Sequence, residues 1–488
     1  VTSPISIPLG AWEPDGVDFQ SSSLMQADNV TPIPGGYGPS LGFNPSTSVL
    51  TPPIKGASVI SDSAGAAYVY AGSGNQIYVS NNGAAFASVY TSGSTLSAIN
   101  RWQFARFVGK VIGVHPQNAP VSGDIGSAMT VLGGTPPVAN VAGVVGNFLV
   151  LGDLVDGIDG VRRNRIRWSG FRNPATWGTN VGTQADFNDM PDEGGVVQGI
   201  IGREFGTIFQ RYAISRMTYV GSPVVFQFDQ VEKKRGALAP GCIIDAGLIA
   251  AYIADDGFFL WDGTSSTPIG AQRVNTYFRE RLYPGGENYI TGYFDPLSST
   301  IGWAYPTDAT LALNERLIYS LTENRWTRST LAGAWFMTGF DVGYTLGQMD
   351  QFGPIGDIPF SFDDPKLKGG RSRAVGFNTA GAYGGLNGPT LEAVFLTGEW
   401  QAKSGSRAFV NALRPVTDAA DVTCAAGVKA QMQSDAVAYT SDASRTIDGK
   451  CPIRANGRFM RFKMDIAPMQ TWAEASAIEA SVAAEGRR

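Results

Sequence analysis

A single histidine, His115, has to serve all 488 residues, and cysteine stops at three. One histidine removes multi-histidine metal centres, HExxH zinc sites and, for most of the chain, a serine–histidine–aspartate triad. His115 follows the apolar run 111–114 and precedes Pro116, a strand-end setting in which a turn role outweighs that of a catalytic base. Cys242, Cys424 and Cys451 are too few for a disulfide framework. Their odd count favours reduced thiols and leaves a Cys424–Cys451 pair open. Charge is also thin, at 16%, which points to large surfaces buried between subunits. A net charge of −5 removes any general electrostatic footprint for gripping nucleic acid. Long apolar runs are missing: 137–151 is short and glycine-broken and 243–254 carries Asp245, so neither reads as a membrane-spanning segment. The opening VTSPISIPLG lacks the basic and apolar regions of a signal peptide.

What the chain has in quantity is glycine and proline, 61 and 28, scattered between apolar runs. That pattern excludes collagen and suits short strands joined by turns. Hydrophobic residues at 43% supply a core and exclude a disordered chain. Residues 249–263, IAAYIADDGFFLWDG, give the pattern in its clearest form: two apolar runs around Asp256-Gly257, closed by Asp262-Gly263. Asp-Gly permits the positive φ of a tight hairpin, so the unit reads as strand, turn, strand. Looser copies stand at 67–83, 101–116, 216–228 and 300–326. Their spacing of roughly 30 to 50 residues is that of propeller blades.

These rhythms divide the chain into three. Residues 1–53 read as an irregular N-terminal arm or platform segment, 54–396 as a β-propeller of about six or seven blade-like units, and 397–488 as a C-terminal β-rich platform domain. In the last part, Val428, Ala430 and Met432 alternate with polar residues, and Met460, Phe462, Met464 and Ile466 alternate with Phe459, Arg461, Lys463 and Asp465. Period two predicts half-exposed strands. Residues 473–485 are alanine- and glutamate-rich, but their alternation also predicts a strand. Residues 339–370, with Pro354, Pro359 and Pro365, read as a long loop. The expected fold class is all-β: a β-propeller plus a small β-rich terminal domain.

No catalytic, cofactor-binding or metal-binding set emerges. Asp153, Asp156 and Asp159 lie three apart among glycines, without the spacing or bidentate glutamate of a calcium loop, and read as solvated turn acids. Asp255-Asp256 and Asp363-Asp364 are adjacent pairs that turn chemistry explains better than paired-carboxylate hydrolysis. Sialidase Asp-box turns (Ser-x-Asp-x-Gly-x-Thr-Trp) are missing; NPATW at 173–177 shares only the Thr-Trp end. Basic residues cluster twice, at Arg162, Arg163, Arg165 and Arg167 and at Lys233, Lys234 and Arg235. Alternation places Arg163, Arg165 and Arg167 on one strand face. The six residues Arg163, Arg165, Arg167, Lys233, Lys234 and Arg235 are candidates for an intersubunit face or for phosphate contacts with DNA passing close by.

Three stretches carry a resemblance: RIRWSGFRNPATW at 165–177, GREFGTIFQRYAISRMTYVGSPVVFQFDQV at 202–231 and GALAPGCIIDAGLIAAYIADDGFFLWDG at 236–263. With Trp168-Ser169, Asn173-Pro174, Trp177, the Phe226–Phe228 run and the 256–263 hairpin, they resemble the tail-nozzle, or packaged-DNA stabilisation and tail-tubular, proteins of short-tailed bacteriophages. The strand GRFMRFKMDI at 457–466, Trp472 and the closing Gly486-Arg487-Arg488 extend the likeness. The resemblance implies a β-propeller joined to a small sandwich-like platform domain built from both termini, in a virion structural protein that is not an enzyme and has no cofactor. It implies a hexameric ring, assembled in the host cytoplasm, below the adaptor on the portal. Such a ring extends the DNA conduit, helps retain the packaged genome and carries tail fibres, spikes or a plug. Double-stranded DNA passes through its lumen without sequence-specific binding, which a net negative chain favours. The alternative is a propeller-fold tail protein that binds or hydrolyses glycans.

Overall fold

The computed structural model describes residues 3–51, 53–81, 84–97, 99–340, 372–401, 407–429 and 432–484, with a few positions between 349 and 361. Runs of β-branched and aromatic residues, cut by Gly, Asn and Asp, form six separate four-stranded antiparallel sheets and a four-stranded unit that continues into a larger sheet. Blade one starts at Ile54–Ser61, blade two at Gln103–Phe107, blade three at Val138–Val145 and blade four at Val197–Gly202. Blades five, six and seven start at Ile244–Asp245, Thr291–Asp295 and Trp335–Phe340. These first strands are innermost. They approach one another around the ring, and that of blade seven meets that of blade one. The described residues therefore form a seven-bladed β-propeller, where the strand–turn rhythm left the number at six or seven.

Near the axis the blades are too close for side chains at some positions. A Cβ on Gly199 would fall 2.3 Å from Ile243 Cδ1, and one on Gly292 would fall 2.4 Å from Ile244 Cγ1. Farther out each wedge is filled by its own apolar core. Tyr70, Ile77, Trp102 and Val111 lie between blades one and two, and Trp168, Phe226 and Met217 between three and four. Phe209, Tyr252 and Trp261 separate four from five. The 249–263 hairpin supplies the middle strands of blade five, Ala250–Ala254 and Gly257–Trp261. Its two faces serve two cores, with Trp261 toward blade four and Phe258 against Trp303 and Trp326, ring centroids 5.0 and 4.9 Å away. The turn acids hold the backbone: Asp262 Oδ1 accepts the N–H groups of Thr264 and Ser265 at 2.8 and 2.7 Å.

Blade seven is completed from the far end of the chain. Its outer strand is Asn44–Val49, antiparallel to Ala382–Gly385. Within the segment expected to be an arm, these residues thus belong to the propeller. Pro45 and the polar composition are compatible with an edge strand bonded on one side only.

The rest of the N-terminal segment joins the C-terminal strands in a two-sheet platform. One sheet holds Ser3–Pro8, Val30–Ile33, Gly36–Pro39, Ala475–Ala484, Ala408–Thr417 and Cys451–Gly457. The other continues blade six: Arg325–Ser329 meets Leu24–Asp28, followed by Ala393–Thr397, Phe459–Ile466 and Val422–Lys429. Val410, Leu413, Ile478 and Ala480 from one sheet and Phe395, Phe462 and Met464 from the other share a core with Phe258, Trp303 and Trp326 of the propeller. Burial of alternate residues through Phe459–Ile466, and the strand Ala475–Ala484, follow the predicted period. Of the strand expected around Val428, Ala430 and Met432, the described part is Val422–Lys429, and Ala430 lies outside the described residues. Beyond it Met432 is exposed, and its N–H bonds the Asp435 carboxylate in a turn. Most of the long segment 339–370, including Asp363-Asp364, lies outside the described residues.

One short helix, Asn275–Arg281, packs at the junction through Phe278. Its first N–H groups are satisfied from the N-terminal segment, where the Asp15 carboxylate accepts from Thr276 and Tyr277 at 2.6 and 2.8 Å.

Candidate functional site

Two of the six candidate basic residues are buried and paired inside the protein. They sit on Gly160–Trp168, the third strand of blade three. Arg165 forms a two-pronged pair with Asp189, Nε–Oδ1 2.6 Å and Nη2–Oδ2 2.9 Å, bonds Asp159, and stacks 4.1 Å from the Phe187 ring. Arg167 donates to Asp156 at 2.8 Å and to the Trp177 carbonyl at 2.6 Å. These partners hold the Arg165 guanidinium above its ordinary value, the Asp189 hydrogen bonds first among them. Burial acts to raise Asp156, but the Ile158 N–H and the two arginines overcome it and leave the carboxyl below its usual range. Asp156 and Asp159 are thus arginine ligands, where solvated turn acids were expected. Arg163 stands apart and exposed, 3.8 Å from Asp153. The register shift opposite Asp153, between Leu154↔Arg162 and Gly152↔Ile166, breaks the regular ladder between Arg163 and Arg165.

The second basic group stands at the outer edge of blade four. Lys233 and Lys234 are exposed, while Arg235 bonds Asp256 at 2.9 Å and Glu232 at 3.2 Å over the Phe259 ring. Asp255 turns the other way, to Arg211 at 2.6 Å. The adjacent pair therefore faces two different arginines and forms no paired-carboxylate site.

His115 is buried against Trp102, with ring centroids 5.1 Å apart, and its Nδ1 accepts the Gln117 N–H at 3.2 Å. Burial pushes its pKa down to about 4, so the imidazole is neutral at ordinary pH. The cysteines are free and buried. Cys424 and Cys451 come from opposite platform sheets, and the neighbouring Cys451 thiol together with burial keeps Cys424 protonated. Among the described residues no group of three or more acidic, histidine or cysteine side chains is arranged to hold a metal ion.

The feature that sequence reasoning missed is at the propeller axis. All seven blades contribute to a central cavity of about 270 Å³. Arg101, just ahead of blade two, reaches across the end at which the inner strands begin. Its guanidinium donates to the Ile290 carbonyl at 3.1 Å and to the Asn288 carbonyl, both just ahead of blade six, and lies 5.3 Å from the Trp335 ring of blade seven. Gly241 makes room, since a Cβ there would fall 2.2 Å from Arg101 Nη1 and 1.9 Å from the Ile290 oxygen. Lys55 of blade one lies beside it, its ammonium 4.6 Å from the Tyr289 ring. A side-chain cap thus covers this end of the channel. Nothing local marks Arg101 in the sequence, because its partners lie 187 and 189 residues away.

No protein-family model matches the sequence, and no curated protein matches it. Solved structures similar to the chain include the Pan2 WD40 domain of Neurospora crassa, 7% identical over 59% of this chain and 83% of that one, TM-score 0.36. Catalytically inactive virginiamycin B lyase from Staphylococcus aureus, solved with quinupristin, is 11% identical over 59% and 90%, TM-score 0.34. BamB from Moraxella catarrhalis is 10% identical over 70% and 92%, TM-score 0.31. At these values the likeness adds nothing to the propeller already evident in the ring of sheets.

Proposed function

We propose that this chain is a virion structural protein, a ring-forming nozzle or head-completion component in the tail of a short-tailed bacteriophage. The observation that carries the reading is the join between propeller and platform. Blade six continues as one sheet through Leu24–Asp28 into the C-terminal strands, with the propeller and platform cores merged. A part that bears pressure and transmits force in a conduit benefits from such a join; a binding module on a flexible tether has no need of it. The motifs at 165–177, 202–231 and 236–263 support the same reading. The low charge content fits burial between copies, six in the resembling family, and Asp255 and Asp256, one of the two acid pairs weighed for hydrolysis, are occupied by arginines.

In this reading DNA does not run through the propeller's own channel, which Arg101 and Lys55 cap, but through the lumen of the ring of copies. The exposed Arg163, Lys233 and Lys234 then belong to subunit contacts or to the wall of that lumen. The adaptor on the portal binds one end, and fibres, spikes or a plug bind the other. The test is native mass spectrometry and negative-stain imaging of the protein, alone and mixed with portal and adaptor proteins. A closed ring that caps the adaptor is expected. A monomer that joins no ring under any of these conditions overturns the reading, as does turnover of a synthetic glycoside.

A further inference from the structure

The cap has an outer side. A cavity of about 430 Å³ opens there at the meeting of blades one, six and seven, and Arg101 and Trp335 wall it off from the axial channel. That size suits a small molecule. Two cations face it, Lys55 and Arg101, and the wall between them is mixed: Tyr289 and Thr310 on one side, Leu313 and Trp335 on the other.

The charges are uncompensated. Among the described residues, Arg101 has two backbone carbonyls as acceptors and no carboxylate. Apart from the Lys55 ammonium, the ionisable group that acts on it is the Cys242 thiol, and burial keeps that thiol protonated up to about 12. The Lys55 ammonium has an aromatic ring beneath it and neither a carboxylate nor a hydrogen-bond acceptor among the described residues. Burial, and then the Arg101 charge, pull Lys55 below the ordinary lysine range; burial also brings Arg101 down to about 10. The indole N–H of Trp335 is buried with no acceptor among the described residues. A buried cation ordinarily has an anionic partner. The blade-three arginines in the same chain each have one.

We propose that this cavity binds a small organic anion, with its phosphate, sulfate or carboxylate head between Lys55 and Arg101 and its apolar body against Trp335 and Leu313. The anion supplies the missing countercharge and an acceptor for the donors that face it. It also fastens blades one, two, six and seven at one point. This inference does not depend on the phage reading and stands or falls separately.

Phenyl phosphate, benzoate, inorganic phosphate and phenol are titrated into the full-length protein by calorimetry, with tryptophan fluorescence as a second readout. Saturable binding of phenyl phosphate or benzoate at millimolar concentration or below is expected, with phenol weaker. Whichever aryl anion binds more tightly identifies the head group. Lys55→Gln is expected to weaken that binding about tenfold, the scale of one charge-assisted contact, while Lys55→Arg retains it. Lys55 is only half-buried, so the unliganded variant should melt where the parent does, which separates lost affinity from lost fold. No saturable binding of any anion, phenol binding as tightly as the anions, or Lys55→Gln without effect overturns the proposal. Inorganic phosphate matching phenyl phosphate overturns the role given to the apolar wall.

Discussion

Asp156 shows how a residue's chemistry is decided by what surrounds it. In the sequence it is one of three acids among glycines. In the fold it is buried beneath Arg167 at 2.8 Å, with Arg165 at 3.7 Å. Asp156→Ala leaves Arg167 buried without a countercharge, and we expect a loss of about 3–5 kcal/mol, measured by urea denaturation at neutral pH. The carboxyl lies below its usual range when folded. Its contribution is therefore complete above about pH 4, where the unfolded chain titrates, and fades as pH falls through the lower folded value. The stability difference between parent and variant should shrink on acidification; a difference that grows would refute the assignment. The arginine run was legible as a cluster. Its partners were not, because Asp189 comes from the next strand and the register shift separates Arg163 from the other two.

Among elements, legibility followed the range of the interactions. The 249–263 hairpin and the strand Phe459–Ile466 could be read directly, since a turn dipeptide and a two-residue period are local signals. The closing strand Asn44–Val49 could not. Its composition is that of a loop, and its partner, Ala382–Gly385, lies most of the chain away. The contact is close: a Cβ on Gly384 would fall 2.2 Å from the Asn44 oxygen and 2.9 Å from Pro45 Cα. Gly384→Val should therefore push the N-terminal strand off blade seven and cost about 1–3 kcal/mol. Limited proteolysis should then cut near residues 44–50 before any other site. Unchanged protection there would show that the blade closes without this strand.

For the whole molecule, the join at blade six sets the cooperativity. Asp28 and Arg328 form a buried pair where the platform strand meets the blade, and Arg328 also reaches Tyr277 at 2.8 Å. Asn29 Oδ1 ties to the Thr330 N–H at 2.9 Å. With sheet and core continuous, calorimetry of the parent should show one unfolding transition. Asp28→Asn should lower stability by about 3 kcal/mol or more and split the transition in two, the platform melting first. A single transition that only moves down in temperature would mean the merged core alone couples the two parts. The all-β class was readable from alternation and turns, whereas the platform of both termini was implied only by the family resemblance, because the N-terminal strands carry no two-residue period of their own. The cap was not, since Arg101 depends on carbonyls that only the closed ring brings near.

The closing strand also orders events in time. Residues 44–49 leave the ribosome ahead of their partner Ala382–Gly385, which follows on the order of tens of seconds later at typical translation rates. Until then blade seven does not exist, the axial contact between blades seven and one cannot form, and Asn44–Val49 has no strand to pair with. The N-terminal segment must wait with an unpaired edge while six blades assemble beside it, and such edges invite pairing with a neighbouring chain. Synthesis on crowded polysomes, where many such segments wait together, is therefore the stage at which this protein is most exposed to strand exchange between copies.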